Sequence, residues 1–375
     1  AAQIEAVGKL RLAASAEKLL ALSQSTPLDS PQDATIAIAL IRIDAARGTA
    51  EIVRRAGEKI AVGLGCVSDL RAAATLPPDT AVPLLVRLAA LPLNAAENLA
   101  FAQSAFTICE KKPDERLVAP LSKLLSPEEP ARESAAEALL RIGTAAAAEA
   151  LKPRLAQEQN LHRKLRIAEL LGKHGARDGY AYAIEHVSDP SLTEVAIAAL
   201  AAIKDPRTAD EMKRILETSN DAAWNRAAIR VLGALGAKEL APKFSGYVSS
   251  WKNPQAIAAL LALADLGQPQ MLPRISEALA ARGDEIMIAG TRAASRLLAQ
   301  PEINGDAVRD QLAALLNDST ASEAVRTAAL DALEALKDPR LDRALALADA
   351  DATLETTHLL GRVERLMIER KVKLP

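Results

Sequence analysis

The residues able to do chemistry are few and badly spaced for it. The four histidines are His162, His174, His186 and His358. The first three stand twelve residues apart, which places them in successive helices and not on one face. No His-Glu-x-x-His, Cys-x-x-Cys or Cys-x-x-Cys-His pattern occurs, so neither a zinc site nor a haem attachment site is expected. Gly63-Leu64-Gly65-Cys66 resembles a phosphate-binding loop only in part. It lacks a third glycine, a preceding strand and a downstream ribose-binding carboxylate, and a helix-joining turn is expected there. No Gly-x-Ser-x-Gly elbow or Walker-type loop is present. Asn317-Asp318-Ser319 has the form of a glycosylation acceptor and equally suits a turn. The expectation is a chain with no catalytic residues, no cofactor and no metal.

One cluster has the composition of a binding surface. Six of the eight aromatic residues lie between positions 180 and 251: Tyr180, Tyr182, Trp224, Phe244, Tyr247 and Trp251. Trp and Tyr beside Arg are enriched where binding energy concentrates. Trp224, Asn225, Arg226, Tyr247, Trp251 and Lys252 are therefore the candidate partner contacts, with gap-filling between helices as the plainer role for the large side chains. A second candidate surface comprises residues early in the inner helices: Arg132, His162, Arg163, Lys164, Asn225, Arg226, Arg292 and Arg326. They could form a basic track for an acidic partner, or be spent on hydrogen bonds between neighbouring repeats.

These residues are positioned by a repeat. Anchoring on a Leu three residues before the closing apolar position of each inner helix gives Leu139, Leu171, Leu200, Leu232, Leu263, Leu297 and Leu333. The steps are 32, 29, 32, 31, 34 and 36 residues. Weaker copies are expected upstream at Phe106, Ala73 and Leu40, with one more near Leu10 opening the chain and a last one near Leu360. The partner helix of the unit carries a proline before apolar residues: Pro83, Pro120, Pro153, Pro242 and Pro273. Proline has no amide hydrogen, which suits a first helical turn. Turns such as Lys204-Asp205-Pro206-Arg207, Ser188-Asp189-Pro190 and Lys337-Asp338-Pro339-Arg340 supply an acidic cap followed by proline. Apolar spacing is helical on both sides of these turns, and no segment alternates as a strand does.

Composition agrees. Half of the 375 residues are apolar, only 2% are aromatic, and 25% are charged. Small and straight-chain side chains cost little entropy in closely packed helices. The net charge of −2 argues against nucleic acid as the main partner. The basic closing stretch Arg365, Arg370, Lys371 and Lys373 is diluted by Glu364 and Glu369 and suits a helix C-terminus. No apolar run reaches the ~20 residues that span a bilayer; the longest, Ile36 to Ile41, is expected to be a core helix face. Cys66 and Cys109 are offset by roughly 15 Å along neighbouring helices, beyond disulfide reach, so both are expected as buried thiols. The chain begins Ala-Ala-Gln, which a trimmed end, a fragment or a removed secretory signal would each leave; an exported bacterial protein is the expectation.

Leu315-Leu316-Asn317-Asp318 through Ala324-Val325-Arg326-Thr327-Ala328-Ala329-Leu330 resembles the HEAT repeat, above all the short bacterial kind seen in phycobilisome-lyase-like proteins. The resemblance covers about residues 30 to 365. It implies an all-α solenoid, a right-handed superhelix of about eleven hairpins stacked because none can bury its apolar stripe alone. Residues 1–375 then form one continuous array, with 1–130 degenerate, 131–345 regular and 346–375 a capping repeat. The metal-dependent hydroxylases built on such repeats carry His-Glu pairs, absent here. The function implied is a scaffold or accessory subunit that joins protein partners in a larger complex. Alternatives are a repeat segment of a larger exported enzyme or electron-transfer protein, and a bilin-lyase-like chromophore-handling protein.

Overall fold

The computed structural model describes residues 2–351, 354 and 357–372; Lys373 of the basic closing stretch lies outside them. Among the described residues the secondary structure is helical throughout, with no strand. By its contacts the chain divides into two compact units, Ala1–Gly179 and Tyr180–Pro375.

The first unit holds α1 (Ala2–Lys9), α2 (Ala16–Ser25), α3 (Asp33–Ile43), α4 (Ala45–Ala61), α5 (Val67–Ala73), α6 (Pro78–Leu88), α7 (Ala95–Lys111), α8 (Val118–Ser122), α9 (Arg132–Ile142), α10 (Ala145–Leu151) and α11 (Leu161–Lys173). The second holds α12 (Tyr180–His186), α13 (Thr193–Ile203), α14 (Pro206–Thr218), α15 (Ala222–Ala234), α16 (Ala241–Val248), α17 (Ala256–Asp265), α18 (Leu272–Leu279), α19 (Asp284–Leu298), α20 (Asp306–Leu316), α21 (Glu323–Ala335), α22 (Arg340–Asp349) and α23 (His358–Arg370). Within each unit the odd-numbered helices stack on one another in order, and the even-numbered ones cover them on one side. This is the layering of a helical-repeat array.

The two layers differ in sequence for a physical reason. An inner helix has neighbours on several sides, so α17 buries all but two of its ten residues, from Ala256 to Ala264, on every face. The run Ile36 to Ile41 in α3 is buried in the same way. A covering helix touches protein on one stripe only: α14 buries Thr208, Met212 and Ile215, at helical spacing, and exposes charge elsewhere. All seven Leu anchors fall in odd-numbered helices, and none is more than 1% exposed.

The turns repeat their chemistry. In both Lys-Asp-Pro-Arg turns the lysine is left-handed, Lys204 at φ 51° and Lys337 at φ 49°. The buried aspartate then accepts the backbone N–H two residues on, Asp205 from Arg207 at 3.0 Å and Asp338 from Arg340 at 2.9 Å. Gly63 and Gly65 (φ 79° and 70°) make the turn between α4 and α5, as expected of a helix joint. At Cys66, the cap residue of α5, the backbone N–H donates to Glu97 at 2.7 Å, and Glu97 also closes the capping box of α7 with Asn94.

Several expectations need correction. Near Leu10, itself 69% exposed, the residues that pack against the core of α2 and α3 are Ile4 and Val7. Phe106 is half-buried, with the Arg141 guanidinium 5.8 Å from its ring centre, while Phe101 of the same helix fills the core. At the C-terminal end the copy expected near Leu360 is α23, with Leu359 as its buried residue. Pro242 and Pro273 do sit in first turns, and Pro120 is the third residue of α8. Pro83, however, lies inside α6, and Pro153 belongs to a 3₁₀ turn that follows α10. Four of the five adjoin or occupy a 3₁₀ turn, where the missing amide hydrogen is least costly.

Candidate functional site

The inner helices of Tyr180–Pro375 enclose a groove of about 960 Å³. Its wall from α15 is made by Ala223, Arg226, Ala227 and Arg230. These positions follow i, i+3, i+4, i+7 and so share one face, which leaves Trp224 and Asn225 outside the lining. Trp251 and Lys252, in the loop before α17, line the groove as well. Its floor is apolar, built on Ile257, Ala258 and Leu261 of α17 and Ile288 of α19. A second slot of about 760 Å³ continues between α19, α21 and the start of α23, sharing Ile288, Arg292 and Ala324 with the groove and ending near His358.

Of the six candidate contacts, the fold brings Arg226, Trp251 and Lys252 to this groove and leaves three elsewhere. Trp224 and Tyr247 are half-buried away from it. Asn225 closes its own turn, its Nδ2 donating to the Ser219 carbonyl at 3.0 Å.

The basic inner track is neutralised only in part. Arg326, expected exposed, is 2% exposed: it donates to the Leu316 carbonyl at 2.8 Å and pairs with Asp351 at 2.7 Å. Arg163 pairs with Glu133, with Glu137 at 2.8 Å and with Glu158 at 3.2 Å. Arg132 is half-buried against Glu133. Lys164 is half-buried, and His162 is exposed on the first unit. Arg226 and Arg292 remain exposed, as expected.

A charge network ties the inner helices together. Glu194 of α13 accepts from both terminal nitrogens of Arg230 on α15, at 2.6 and 3.1 Å. It also accepts from Arg296 of α19 at 3.1 Å, across 102 residues of sequence, and Arg296 pairs with Asp265 of α17 at 2.9 Å. Burial pushes the Glu194 carboxyl upward, but Arg230 and Arg296 outweigh it and hold its pKa down at about 2. For Asp265 burial is the larger influence and its pKa is raised despite Arg296.

The first unit carries a buried charge cluster that the sequence did not reveal. Lys59 of α4 lies 2.6 Å from Asp33 of α3 and 2.7 Å from Asp69 of α5, all essentially without exposure. Arg55 pairs with Asp33 and donates to the Thr26 carbonyl at 2.7 Å. Burial works against the Lys59 ammonium, yet its two carboxylate partners hold its pKa above the ordinary value. Every charge has an opposite neighbour, so the cluster joins helices and offers no reactive group. The only hint lay in α4, where Glu51, Arg55 and Lys59 share the stripe of Gly48, Ile52 and Ala56.

Other candidates for chemistry are accounted for structurally. Cys66 and Cys109 are free and buried. Burial pushes the Cys66 thiol up to about 12, with the Glu97 carboxylate adding to it, and burial pushes Cys109 up to about 11. Neither is a ready nucleophile. His174 Nε2 donates to the Gly143 carbonyl at 3.0 Å, just past the end of α9. Asn317 Nδ2 donates to the Ala313 carbonyl at 3.0 Å, and Asp318 closes the following turn onto Thr320. Among the described residues no group of three or more His, Cys, Asp and Glu is placed to hold a metal ion, and no helix is long and apolar enough to cross a membrane.

No protein-family model and no curated protein matches the chain. It is similar to a solved structure described as an engineered protein, at 17% identity, covering 86% of this chain and 99% of that one, with a TM-score of 0.38. A likeness that distant carries no conclusion about fold or function.

Proposed function

We propose that the chain is a non-catalytic scaffold or accessory subunit that holds protein partners on its inner helices, with the groove of Tyr180–Pro375 as a contact site. The observation that carries this is Trp251: a half-buried indole lining the same groove as the exposed Arg226 and Lys252, beside the aliphatic floor of Ile257, Leu261 and Ile288. Aromatic and guanidinium groups on a preformed concave surface are the usual anchors of protein recognition. Within this proposal the hairpins are HEAT-like, about eleven in number, and form a right-handed array. The hairpin type and number are supported by the 29- to 36-residue steps and the Val325-Arg326-Thr327-Ala328-Ala329 segment. An experimental structure tests handedness and repeat number together.

The functional test is affinity recovery from the native cell extract followed by native mass measurement. Wild type is expected to bring down defined protein partners, and Trp251→Ala to lose them without a change in melting temperature. A chain that stays monomeric and alone, or keeps all its partners after Trp251→Ala, contradicts the proposal.

A further inference from the structure

We infer that the groove takes an extended acidic peptide segment, with its carboxylates on Arg226, Lys252 and Arg292 and an apolar side chain against Trp251; this rests on the groove being a partner site. The cations lining it fall into two classes. Arg230 is committed to Glu194, whereas Arg226, Lys252 and Arg292 are exposed and form no ion pair among the described residues. Glu194, which also lines the groove, already displays the mode of binding: its carboxylate is gripped by two guanidiniums, Arg230 of the groove and Arg296 of the adjoining slot. The three free cations come from α15, the loop before α17, and α19, so they are spread across successive inner helices. Neighbouring helices stand about 8–10 Å apart, and side chains on one face of an extended chain repeat at about 7 Å. An extended segment can therefore meet the cations in turn while its other residues lie on Ile257, Leu261 and Ile288.

Asp284 and Glu285 decide between classes of acidic partner. Both line the groove, exposed and without an ion pair among the described residues, in the first turn of α19 where a helix favours acidic residues. A nucleic acid, with a phosphate at every step, would be driven against them. A peptide can place a neutral or basic residue at that point and its carboxylates elsewhere.

The experiment uses the full chain carrying Trp224→Phe, which leaves Trp251 as the sole indole of the two. It is titrated with a synthetic peptide of alternating Glu and Ala around a central Leu, with the same peptide bearing Lys for Glu, and with a single-stranded oligonucleotide. The acidic peptide is expected to shift Trp251 emission saturably and to bind more weakly as added salt shortens the screening length. Arg226→Gln, Lys252→Gln and Arg292→Gln should each weaken binding about threefold to fivefold, the scale of an exposed ion pair. The double change Asp284→Asn and Glu285→Gln should tighten it, an effect that loss of structure would not produce. Unaltered melting temperatures confirm that the variants are folded. Equal or tighter binding of the Lys peptide, tighter binding of the oligonucleotide, or no shift with the acidic peptide overturns the inference. If the acidic peptide fails while Trp251→Ala still loses native partners, the peptide chemistry is wrong and the partner site stands. If partner recovery ignores Trp251, the site itself is wrong.

Discussion

Two guanidiniums reach the carboxylate of Glu194, one from the adjacent inner helix and one from the third inner helix onward. In an unfolded chain a glutamate titrates near 4.3, whereas here the folded value is about 2. The folded state therefore gains from ionised Glu194 above about 4.3, and the gain disappears as pH falls through about 2. Asp265, raised by burial, acts in the opposite sense, favouring the folded state once it is protonated. Wild type should melt above Glu194→Gln at about pH 6, and the gap should close between about pH 4 and 2 in low salt. A gap that stays constant over that range would show that the network contributes no ionisation-linked stability. Charge of this kind was poorly legible beforehand. Arg326 and Arg163 stood in the right part of their helices to be surface cations, and whether they faced solvent or a carboxylate depended on the neighbouring repeat.

Helices approach one another closely where glycine removes a side chain. A Cβ added at Gly233 of α15 would lie 2.5 Å from Ala262 Cα and 2.6 Å from its Cβ, on the facing helix α17. Both neighbours are short and anchored in backbone, so the helices themselves would have to part. Gly233→Ala is expected to destabilise by about 1–3 kcal/mol, as overpacking does. Gly246 of α16 has nothing within 4 Å of that position. Gly246→Ala should instead stabilise by up to about 1 kcal/mol through helix propensity. Thermal or urea denaturation of the pair checks the contrast, and equal effects at both sites would contradict the packing of α15 on α17. At this scale much was already legible. The Leu anchors, the Asp-Pro turns and the distinction between all-apolar α17 and one-striped α14 follow from helical periodicity. The terminal copies were legible only approximately, near Leu10 and Leu360, because an end repeat lacks a neighbour on one side, which loosens its apolar pattern.

Over the whole molecule, Ala1–Gly179 and Tyr180–Pro375 each hold their own stacked inner helices and their own charge networks. In repeat arrays stability is close to a sum of local and nearest-neighbour contributions. Expressed separately, the two segments are each expected to give helical circular dichroism and a cooperative melt. An unfolded fragment would show that its fold depends on the other. The candidate surfaces also separate at this scale: the groove with Trp251 lies wholly within Tyr180–Pro375, and the buried Asp33–Lys59–Asp69 cluster wholly within Ala1–Gly179.

Local pattern alone determined that this chain is helical, where many of its helices turn and that the seven anchor leucines are hidden, because those properties depend on neighbours within one or two turns. Only the tertiary structure decided that Arg226, Lys252 and Trp251 share a groove while Trp224 and Asn225 lie outside its lining, and that Arg296 reaches Glu194 across 102 residues. A rotation of 100° per residue selects which side chain lines a surface. That selection has meaning only once the next repeat is in place.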